Sequence, residues 1–292
     1  MRSRHRPLVL FTLIGPALGL MALFLVGPLA VVFLLSFTDY QLGAPELGWV
    51  GLRNYAELLA DRGFRKVFAN TLLYVGVVVP LSVGLGLGAA LLIEADARFR
   101  AFYRAAYFLP VMATLIAMAI VWEFMLHPSF GLVNLVLAKL GGHGPDWLHD
   151  QSIVLFTLAG MGIWQNLGFN MVLFMAGLMG IPRELYEAAS LDGARSGFDR
   201  FRLVTWPMLG PVTLFTIVIS AIRAFQVFDT VQVLTKGGPN RASEVLLYTM
   251  YSEGFEYFRS GYASAVAIVF LVLVLAFSSI KTFVLDRRVH YS

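Results

Sequence analysis

The sequence predicts an all-α integral membrane protein with six transmembrane helices. Of its 292 residues, 58% are hydrophobic and only 14% are charged, whereas about a quarter of the residues in an ordinary soluble domain are charged. Six long runs contain no Asp, Glu, Lys or Arg, and each approaches or exceeds the roughly 20 residues that an α-helix needs to cross the hydrocarbon core. The runs are apolar on every face and do not alternate, which excludes a transmembrane β-barrel.

The six spans are predicted directly from these runs. The basic start resembles a secretion signal, but the apolar stretch behind it is roughly twice the length of a signal's apolar region, so we expect a retained first helix. No internal repeat, low-complexity tract or soluble linker interrupts the chain, which predicts a single transmembrane domain over residues 1–292. The predicted spans cover about residues 8–37, 67–93, 105–124, 152–181, 208–234 and 261–284.

The distribution of Lys and Arg predicts the orientation. Thirteen of the 22 basic residues lie in the terminal segments and the loops on their side, eight lie in the opposite loops, and Arg223 continues the fifth run. Because an excess of Lys and Arg marks the cytoplasmic side, both termini are predicted to be cytoplasmic. The net charge of +4 follows from this asymmetry and gives no reason to expect nucleic-acid binding. The absence of cysteine excludes disulfides, thiolate metal sites and cysteine nucleophiles.

A charged loop, residues 183–206, separates the fourth and fifth spans. Pro182 suits the first position of a helix, and Gly193 suits the left-handed position that ends one. A second short helix is predicted from Phe198 to Thr205, with both of these residues and Phe201 on one side. Two short helices at an angle form a protrusion suited to docking into a groove on a soluble partner, and a solvated helix on the bilayer surface is the alternative.

This loop carries a family resemblance. The stretch EAASLDGA, preceded by IPRELY and followed by FRLVTWP, resembles the EAA loop of binding-protein-dependent ABC importer permeases of the carbohydrate and glycerol-3-phosphate (maltose-type) family. Glu187, Ala188, Ala189 and Gly193 match the pattern, and Asp192 fits the usual residue before that glycine. The resemblance implies that these five residues dock onto the ATP-hydrolysing subunits.

The loop departs from the family pattern in two places. Trp206 replaces the usual leucine, and the distance from Gly193 to Pro207 is one residue longer, with the extra residue expected within 195–197. A second motif, residues 225–265, is similar to the region between the fifth and sixth spans of carbohydrate permeases, with T-x-GGP and GYASA in register. The resemblance extends over essentially the whole chain.

The resemblance implies a type I ABC importer permease (MetI-like) fold and a specific set of partners. These are a second homologous permease subunit, two ATP-binding subunits, an extracytoplasmic solute-binding protein and the lipid bilayer of a bacterial inner membrane. The ATP-binding subunits are expected at the loop 183–206, which is called the coupling loop below. The chain has no GxxxxGK[ST] motif of its own, so ATP is expected to be hydrolysed by the partner subunits. We therefore expect no bound cofactor, no metal, no catalytic residue and no enzymatic activity in this chain.

Polar residues inside the fourth and fifth runs are the candidates for contact with cargo. Unpaired amides are unfavourable in hydrocarbon, so those of the fourth run should face protein or a water-filled cavity. Those of the fifth run follow one helical stripe. In the maltose-type relatives these spans line the translocation path, which favours Gln165, Asn166, Arg223 and Gln226. The full candidate set is Gln165, Asn166, Asn170, Ser220, Arg223, Gln226 and Thr230.

Two charged residues of the fifth span have alternative roles. An arginine at a helix centre is unfavourable by roughly 2.5–3.5 kcal/mol on insertion scales, which indicates a specific role for Arg223. It either donates to sugar hydroxyls or a phosphate, or forms a structural ion pair or hydrogen bond with another helix or with the partner permease. Asp229 is interpreted as stabilising the helix-to-loop junction near the outer end of the span.

Two other function classes are weighed against the importer. A stand-alone, ion-coupled secondary transporter is the main alternative, and it should show an internal repeat and acidic residues at mid-membrane. A membrane-embedded enzyme should show clustered Asp, His or Ser at matched depths. Neither pattern is present in the sequence. The identity of the cargo and the choice between a homodimer and a heterodimer stay open at this stage.

Overall fold

The computed structural model describes residues 6–95 and 100–280. Within them, helices dominate and the β-pairing consists of one isolated bridge between Thr38 and Trp49. The α-helices are α1 Arg6–Met21, α2 Gly27–Leu35, α3 Arg53–Ala60, α4 Arg62–Ala95, α5 Arg100–Met112, α6 Leu115–Met125, α7 Leu132–Lys139, α8 Val154–Met179, α9 Arg183–Leu191, α10 Gly197–Arg200, α11 Trp206–Met208, α12 Gly210–Phe225, α13 Asp229–Leu234, α14 Leu246–Tyr251 and α15 Ser260–Ile280. Three π-helical turns interrupt this series, at Ala22–Val26, Phe201–Thr205 and Ser252–Glu256.

All six predicted spans are helical, which confirms the all-α membrane class. Four helical stretches among the described residues are long and apolar enough to cross a membrane, namely Ile14–Leu35, Arg62–Glu94, Gly210–Leu234 and Ser260–Ser279. The pair α5 and α6 makes a fifth if it is one broken span. The remaining predicted span is α8, which has 26 residues but is less apolar because amides interrupt it. Residues 281–284 of the sixth predicted span, and several arginines used for the orientation, lie outside the described residues.

The third span, predicted over residues 105–124, consists of two helices, α5 and α6. It is bent by 98° between α5 and α6. Pro110 lies near the end of α5, where its missing N–H removes a helical hydrogen bond. Thr114 then adopts an extended conformation before α6 begins. The bend leaves much of the apolar surface of both helices exposed in this chain, including Met112 at 76%.

The chain packs into two compact units. The first contains the residues up to Phe64 together with Thr249–Val272. Its interior includes the buried Asn54, whose side-chain amide donates to the carbonyls of Ser36 and Thr38 at 2.9 and 2.8 Å. An ion pair joins Arg259 to the buried Glu253 at 3.2 Å, and Arg259 also pairs with Glu57.

The second unit contains Arg65–Tyr248 and the residues from Leu273 onward. Here α8 packs against α5 on one side and α12 on another. Close helix contact depends on glycine, since a Cβ at Gly168 would overlap the Tyr107 carbonyl oxygen and one at Gly86 would lie 2.7 Å from the Asn170 Cβ. The single-domain organisation over residues 1–292 stays a prediction.

The fifth span is interrupted near its C-terminal end. The helix α12 ends at Phe225, residues 226–228 are not helical, and α13 begins at Asp229. The predicted continuous helical stripe from Ser220 to Thr230 is therefore wrong, because the register of 100° per residue does not carry across the break. Non-helical backbone at membrane depth occurs where it is buried in protein or lines a water-filled cavity. A binding site is therefore expected beside this break.

Candidate functional site

A cavity of about 330 Å³ lies within the second unit, walled by α4, α6, α8 and the break between α12 and α13. It brings together five of the seven residues proposed from the sequence as cargo contacts: Gln165, Asn166, Arg223, Gln226 and Thr230. The two amides of α8 come from consecutive positions, while the other three flank the helix break. Most of the predicted pathway residues therefore line the same cavity.

The α8 side of the cavity is shaped by a local hydrogen bond. The Asn166 side-chain Nδ2 donates to the Gly162 carbonyl at 2.8 Å, one turn earlier in the same helix. This bond holds the side chain along the helix and leaves the Asn166 Oδ1 able to accept. The Gln165 side chain has no hydrogen-bond partner among the described residues, so its amide can donate and accept inside the cavity.

The break in the fifth span supplies the opposite side. Gln226, Val227 and Phe228 line the cavity with main chain that no longer belongs to a regular helix. The Gln226 side chain is exposed, and it has no partner among the described residues. Discontinuous helices of this kind form substrate and ion sites in membrane transporters, because their free backbone groups can face a polar ligand.

Arg223 is the cation of this cavity. Its guanidinium carbon lies 3.8 Å from the centre of the Phe169 ring, within the range of a cation–π interaction. Its side chain is exposed, and it forms no ion pair within the part of the chain that the structure describes. Arg223 therefore contacts α8 through Phe169 and also lines the cavity.

Asn170 and Ser220 do not line the cavity. Both are buried, at 0% and 1% exposure, and the Ser220 hydroxyl donates to Asn170 Oδ1 at 2.9 Å. Asn170 Nδ2 in turn donates to Ser82 Oγ at 3.3 Å. Together the three side chains join α12, α8 and α4 through the interior of the unit. In this arrangement the three side chains serve as hydrogen-bond partners for one another.

Several cavity residues were missed from the sequence. They are aromatic side chains within apolar runs, where they are typical of lipid-facing or core positions, and they include Tyr74, Trp122, Trp164 and Phe228. The two tryptophans meet edge to face with ring centres 5.5 Å apart. The sequence signals that pointed to this neighbourhood were the amides of the fourth run and the polar residues of the fifth span.

Asp229 was interpreted as a residue that stabilises the helix-to-loop junction. It begins α13, where a carboxylate suits the positive helix end, and it also lines the cavity. Its side chain has no hydrogen bond among the described residues. The cavity therefore holds one cationic and one anionic side chain together with several neutral polar groups.

A second candidate site is the coupling loop, residues 183–206. Its first helix, α9, runs from Arg183, so Pro182 is the N-cap rather than the first helical residue that we predicted. The helix ends as predicted at Gly193, whose φ is +98°. The Ala194 N–H donates to the Ala189 carbonyl at 2.9 Å and the Gly193 N–H to the Ser190 carbonyl at 3.3 Å, which is the Schellman pattern.

The second short helix of the coupling loop begins with a capping box. Ser196 Oγ accepts from the Asp199 N–H at 3.0 Å, and Asp199 accepts from the Ser196 N–H at 3.1 Å. The helix α10 then continues into the π turn Phe201–Thr205. The predicted common face is wrong, because Phe198 is 69% exposed whereas Thr205 is buried.

The π turn also bears on the extra residue of this loop. A π turn closes its hydrogen bond over five residues instead of four, so it accommodates one more residue than an α turn. The added length was expected within residues 195–197, which instead form an ordinary cap. The Tyr186 hydroxyl lies 3.0 Å from Thr205 Oγ1 and connects this turn to α9.

The outer surface of the coupling loop is exposed and partly apolar. Glu187, Ala188 and Asp192 are exposed, and Ala189 is half-buried. Leu191, at the end of α9, is 89% exposed. Phe198, in the second short helix, is 69% exposed, and large apolar side chains exposed on a charged loop are typical of a protein-interaction site.

Comparison with known proteins gives a consistent picture. The model of the family described as "Binding-protein-dependent transport system inner membrane component" matches residues 82–291. The trehalose/maltose transport system permease protein MalF of Thermococcus litoralis is 35% identical over 271 residues, covering 92% of this chain and 90% of that protein. The sn-glycerol-3-phosphate transport system permease protein UgpA of Agrobacterium fabrum is 29% identical over 282 residues, covering 96% of each.

A probable ABC transporter permease of Pyrococcus horikoshii is 34% identical over 276 residues and covers 94% of each chain. Among solved structures, a chain of a bacterial alginate ABC transporter, in complex with an alginate pentasaccharide-bound periplasmic protein, superposes with a TM-score of 0.81. It is 23% identical and covers 94% of each chain. That likeness shows that the two chains share a fold.

Proposed function

Because this chain belongs to the family of binding-protein-dependent transport system inner membrane components and is a permease subunit of an ATP-driven ABC importer, we propose that its cavity forms part of the path for a sugar or another small hydroxylated solute. The observation that carries the proposal is the convergence of free polar side chains and non-helical backbone on one space inside the membrane unit. Bundles of apolar helices do not hold such groups unless they serve a polar ligand or water.

The lining of the cavity suits a carbohydrate. Amides, a hydroxyl and an arginine offer donors and acceptors in several directions, as the hydroxyls of a sugar require. The tryptophan pair, Trp122 and Trp164, offers flat apolar faces for the C–H surfaces of a ring. A volume of about 330 Å³ lies at the small end of the 300–1,000 Å³ range of ligand pockets. The cargo is therefore a small sugar or a short segment of a longer one.

A glycerol phosphate is the second candidate cargo, and Arg223 is the observation that favours it. An arginine without an ion pair among the described residues can neutralise a phosphate, and several relatives are glycerol-3-phosphate permeases. Asp229 lines the same cavity and opposes an anion there. The balance of one positive and one negative side chain favours the neutral sugar.

The coupling loop docks onto ATP-hydrolysing subunits in this proposal. Its support is the exposure of the apolar side chains of Leu191 and Phe198, together with the left-handed Gly193 that ends α9. The loop and both termini are then cytoplasmic, and a solute-binding protein delivers cargo on the opposite side. A second permease completes the path, the partners hydrolyse ATP, and this chain binds no cofactor and catalyses no reaction. The family assignment favours this importer over a stand-alone ion-coupled transporter.

A pull-down from the native membrane tests the docking. The tagged wild-type chain should recover an ATPase and a second permease, identified by mass spectrometry. Glu187→Lys should lose only the ATPase, while the matched control Glu46→Lys, an exposed glutamate in a loop of the first unit, should behave as wild type. Recovery of no ATPase by the wild type, under conditions that keep other importers intact, would contradict the proposal.

The orientation is tested with single cysteines, since the natural chain contains none. A membrane-impermeant maleimide should label Leu140→Cys, at an 80% exposed position, in intact spheroplasts. It should label Ser190→Cys only in inside-out vesicles. The reverse pattern would place the coupling loop outside and exclude its contact with ATPases.

Uptake by the complete complex in proteoliposomes separates the two cargo candidates. Radiolabelled trehalose, maltose and glycerol 3-phosphate are compared for the wild type, Arg223→Gln and the control Arg53→Gln, an exposed arginine outside the cavity. Uptake of a sugar by the wild type supports the main proposal. Uptake of glycerol 3-phosphate alone, abolished by Arg223→Gln, would replace it with the anionic cargo.

A further inference from the structure

The most buried of the polar residues that line the cavity is a tyrosine that no sequence motif singles out. Tyr74 lies in α4, is only 4% exposed, and lines the cavity. Its hydroxyl has no hydrogen-bond partner among the described residues. The buried side-chain atoms that lack a partner in this part of the chain belong to Glu94, Arg100, Thr213 and Gln232. The Tyr74 hydroxyl is not one of them, as expected for an atom that borders the cavity.

The position of this hydroxyl is created by Gly162 in α8. A Cβ at Gly162 would overlap the Tyr74 hydroxyl oxygen, while the ring carbon that carries the hydroxyl would lie 3.3 Å away. Only a glycine at this point allows the full length of the tyrosine to fit between α4 and α8. The overlap is with the hydroxyl oxygen, and a phenylalanine would remove it and leave only a tight contact with the ring.

Nearby backbone does not satisfy the hydroxyl. The Gly162 carbonyl already accepts from the Asn166 side chain at 2.8 Å, and its helical position gives it the Asn166 main-chain N–H as well. A carbonyl oxygen has two lone pairs, so this acceptor is fully used. The hydroxyl borders the cavity, so water or a ligand there can complete the hydrogen bonds that the protein does not supply.

We propose that Tyr74 is a substrate-contact residue, whose hydroxyl bonds to a hydroxyl or ring oxygen of the sugar at the inner wall of the cavity. The inference rests on the proposed function, because it assumes that the cavity is part of the sugar path. Tyr74 and Asn166 then present a phenol and an amide oxygen from two helices that meet at Gly162. A sugar with vicinal hydroxyls can bridge them.

The test uses the complete complex in proteoliposomes with trehalose, maltose and glycerol 3-phosphate as radiolabelled probes. Tyr74→Phe should slow sugar uptake by about 3- to 10-fold, the effect of one lost hydrogen bond. ATP hydrolysis stimulated by the loaded binding protein should change less than twofold. The control Tyr257→Phe removes a hydroxyl from an exposed tyrosine outside the cavity and should leave both rates unchanged.

A second pair of variants tests the geometry. Gly162→Ala should slow uptake because its methyl group displaces the Tyr74 hydroxyl, and Tyr74→Phe should relieve that clash. The double variant is therefore expected to match Tyr74→Phe alone instead of adding the two losses. Additive losses would show that Gly162 acts independently of the hydroxyl, which would contradict the proposed arrangement.

The outcomes separate the two levels of the proposal. Sugar uptake that is equal for wild type and Tyr74→Phe would overturn the role of Tyr74 and leave the importer proposal intact. A complex that hydrolyses ATP but takes up none of the three probes in wild-type form would overturn the proposed cargo class, and the assignment of Tyr74 with it.

Discussion

The hydrogen bonds of Asn170 provide a sharp test of the membrane core. Asn170→Ala removes the 2.9 Å bond from Ser220 and the 3.3 Å bond to Ser82. Hydrogen bonds between membrane helices contribute about 0.6 kcal/mol on average and up to about 1.7 kcal/mol. Because the second bond is long, we expect a loss of about 1–2.5 kcal/mol in the free energy of unfolding. Ser220→Ala should lose about 0.6–1.7 kcal/mol.

Reversible unfolding of the purified chain by SDS in mixed micelles measures these losses. A double-mutant cycle between Asn170→Ala and Ser220→Ala should give a coupling energy of about 0.6–1.7 kcal/mol. Thr216 is the matched control, since it is equally buried in α12 but its hydroxyl donates to the Val212 carbonyl of its own helix at 2.7 Å. The cycle of Asn170→Ala with Thr216→Ala should be additive within about 0.3–0.5 kcal/mol.

Two results would refute the reasoning. A coupling between Asn170 and Ser220 no larger than that of the control pair would mean that the two side chains do not bond in the folded chain. Loss of uptake in Asn170→Ala at unchanged stability would place this amide in the cargo path, as the sequence suggested, and not in the helix interior.

Three further predictions concern local geometry. Gly168→Ala should destabilise the chain by about 1–3 kcal/mol in the same SDS titration, because its methyl group overlaps a carbonyl of α5, whereas Gly160→Ala, with open space around it, should be nearly neutral. Gly193→Ala places an alanine at a φ of +98°, which is unfavourable by about 1–2 kcal/mol in conformational free energy. This variant should reduce ATPase co-purification and leave the recovery of the second permease unchanged. Hydrogen bonds from Ser196 lower the pKa of Asp199, so the cap should stabilise the loop above about pH 4 and weaken as the pH falls below it. Hydrogen exchange of the loop should show this acid sensitivity in the wild type and lose it in Ser196→Ala.

The coupling loop could be predicted well from the sequence because its signals are local. Gly193 ends α9 for a reason contained in a few residues, since only glycine adopts the left-handed conformation without strain. The second helix was also predicted, although Thr205 turns inward. That difference arises from the π turn Phe201–Thr205, which rotates the helix face after Arg200.

The cavity was predicted only in part. The sequence shows that polar side chains in an apolar run must face protein or water. It does not show which of the two a given side chain faces. Gln165 and Asn166 line the cavity, while Asn170 bonds to Ser220 within the core. The choice between them depends on which neighbouring helix faces each side of α8, and no local pattern contains that information.

The sequence by itself determined the membrane class, the number and approximate place of the spans and the family. Composition and run length decide whether a helix is stable in hydrocarbon, and the coupling-loop motif is a local pattern. Tertiary structure alone decided that the third span bends by 98°, that the fifth span opens at residues 226–228, and that Tyr74 reaches the cavity beside Gly162. Each of these depends on packing between helices that are distant in the chain. That packing decides which polar groups of a helix are covered by its neighbours and which face the cavity.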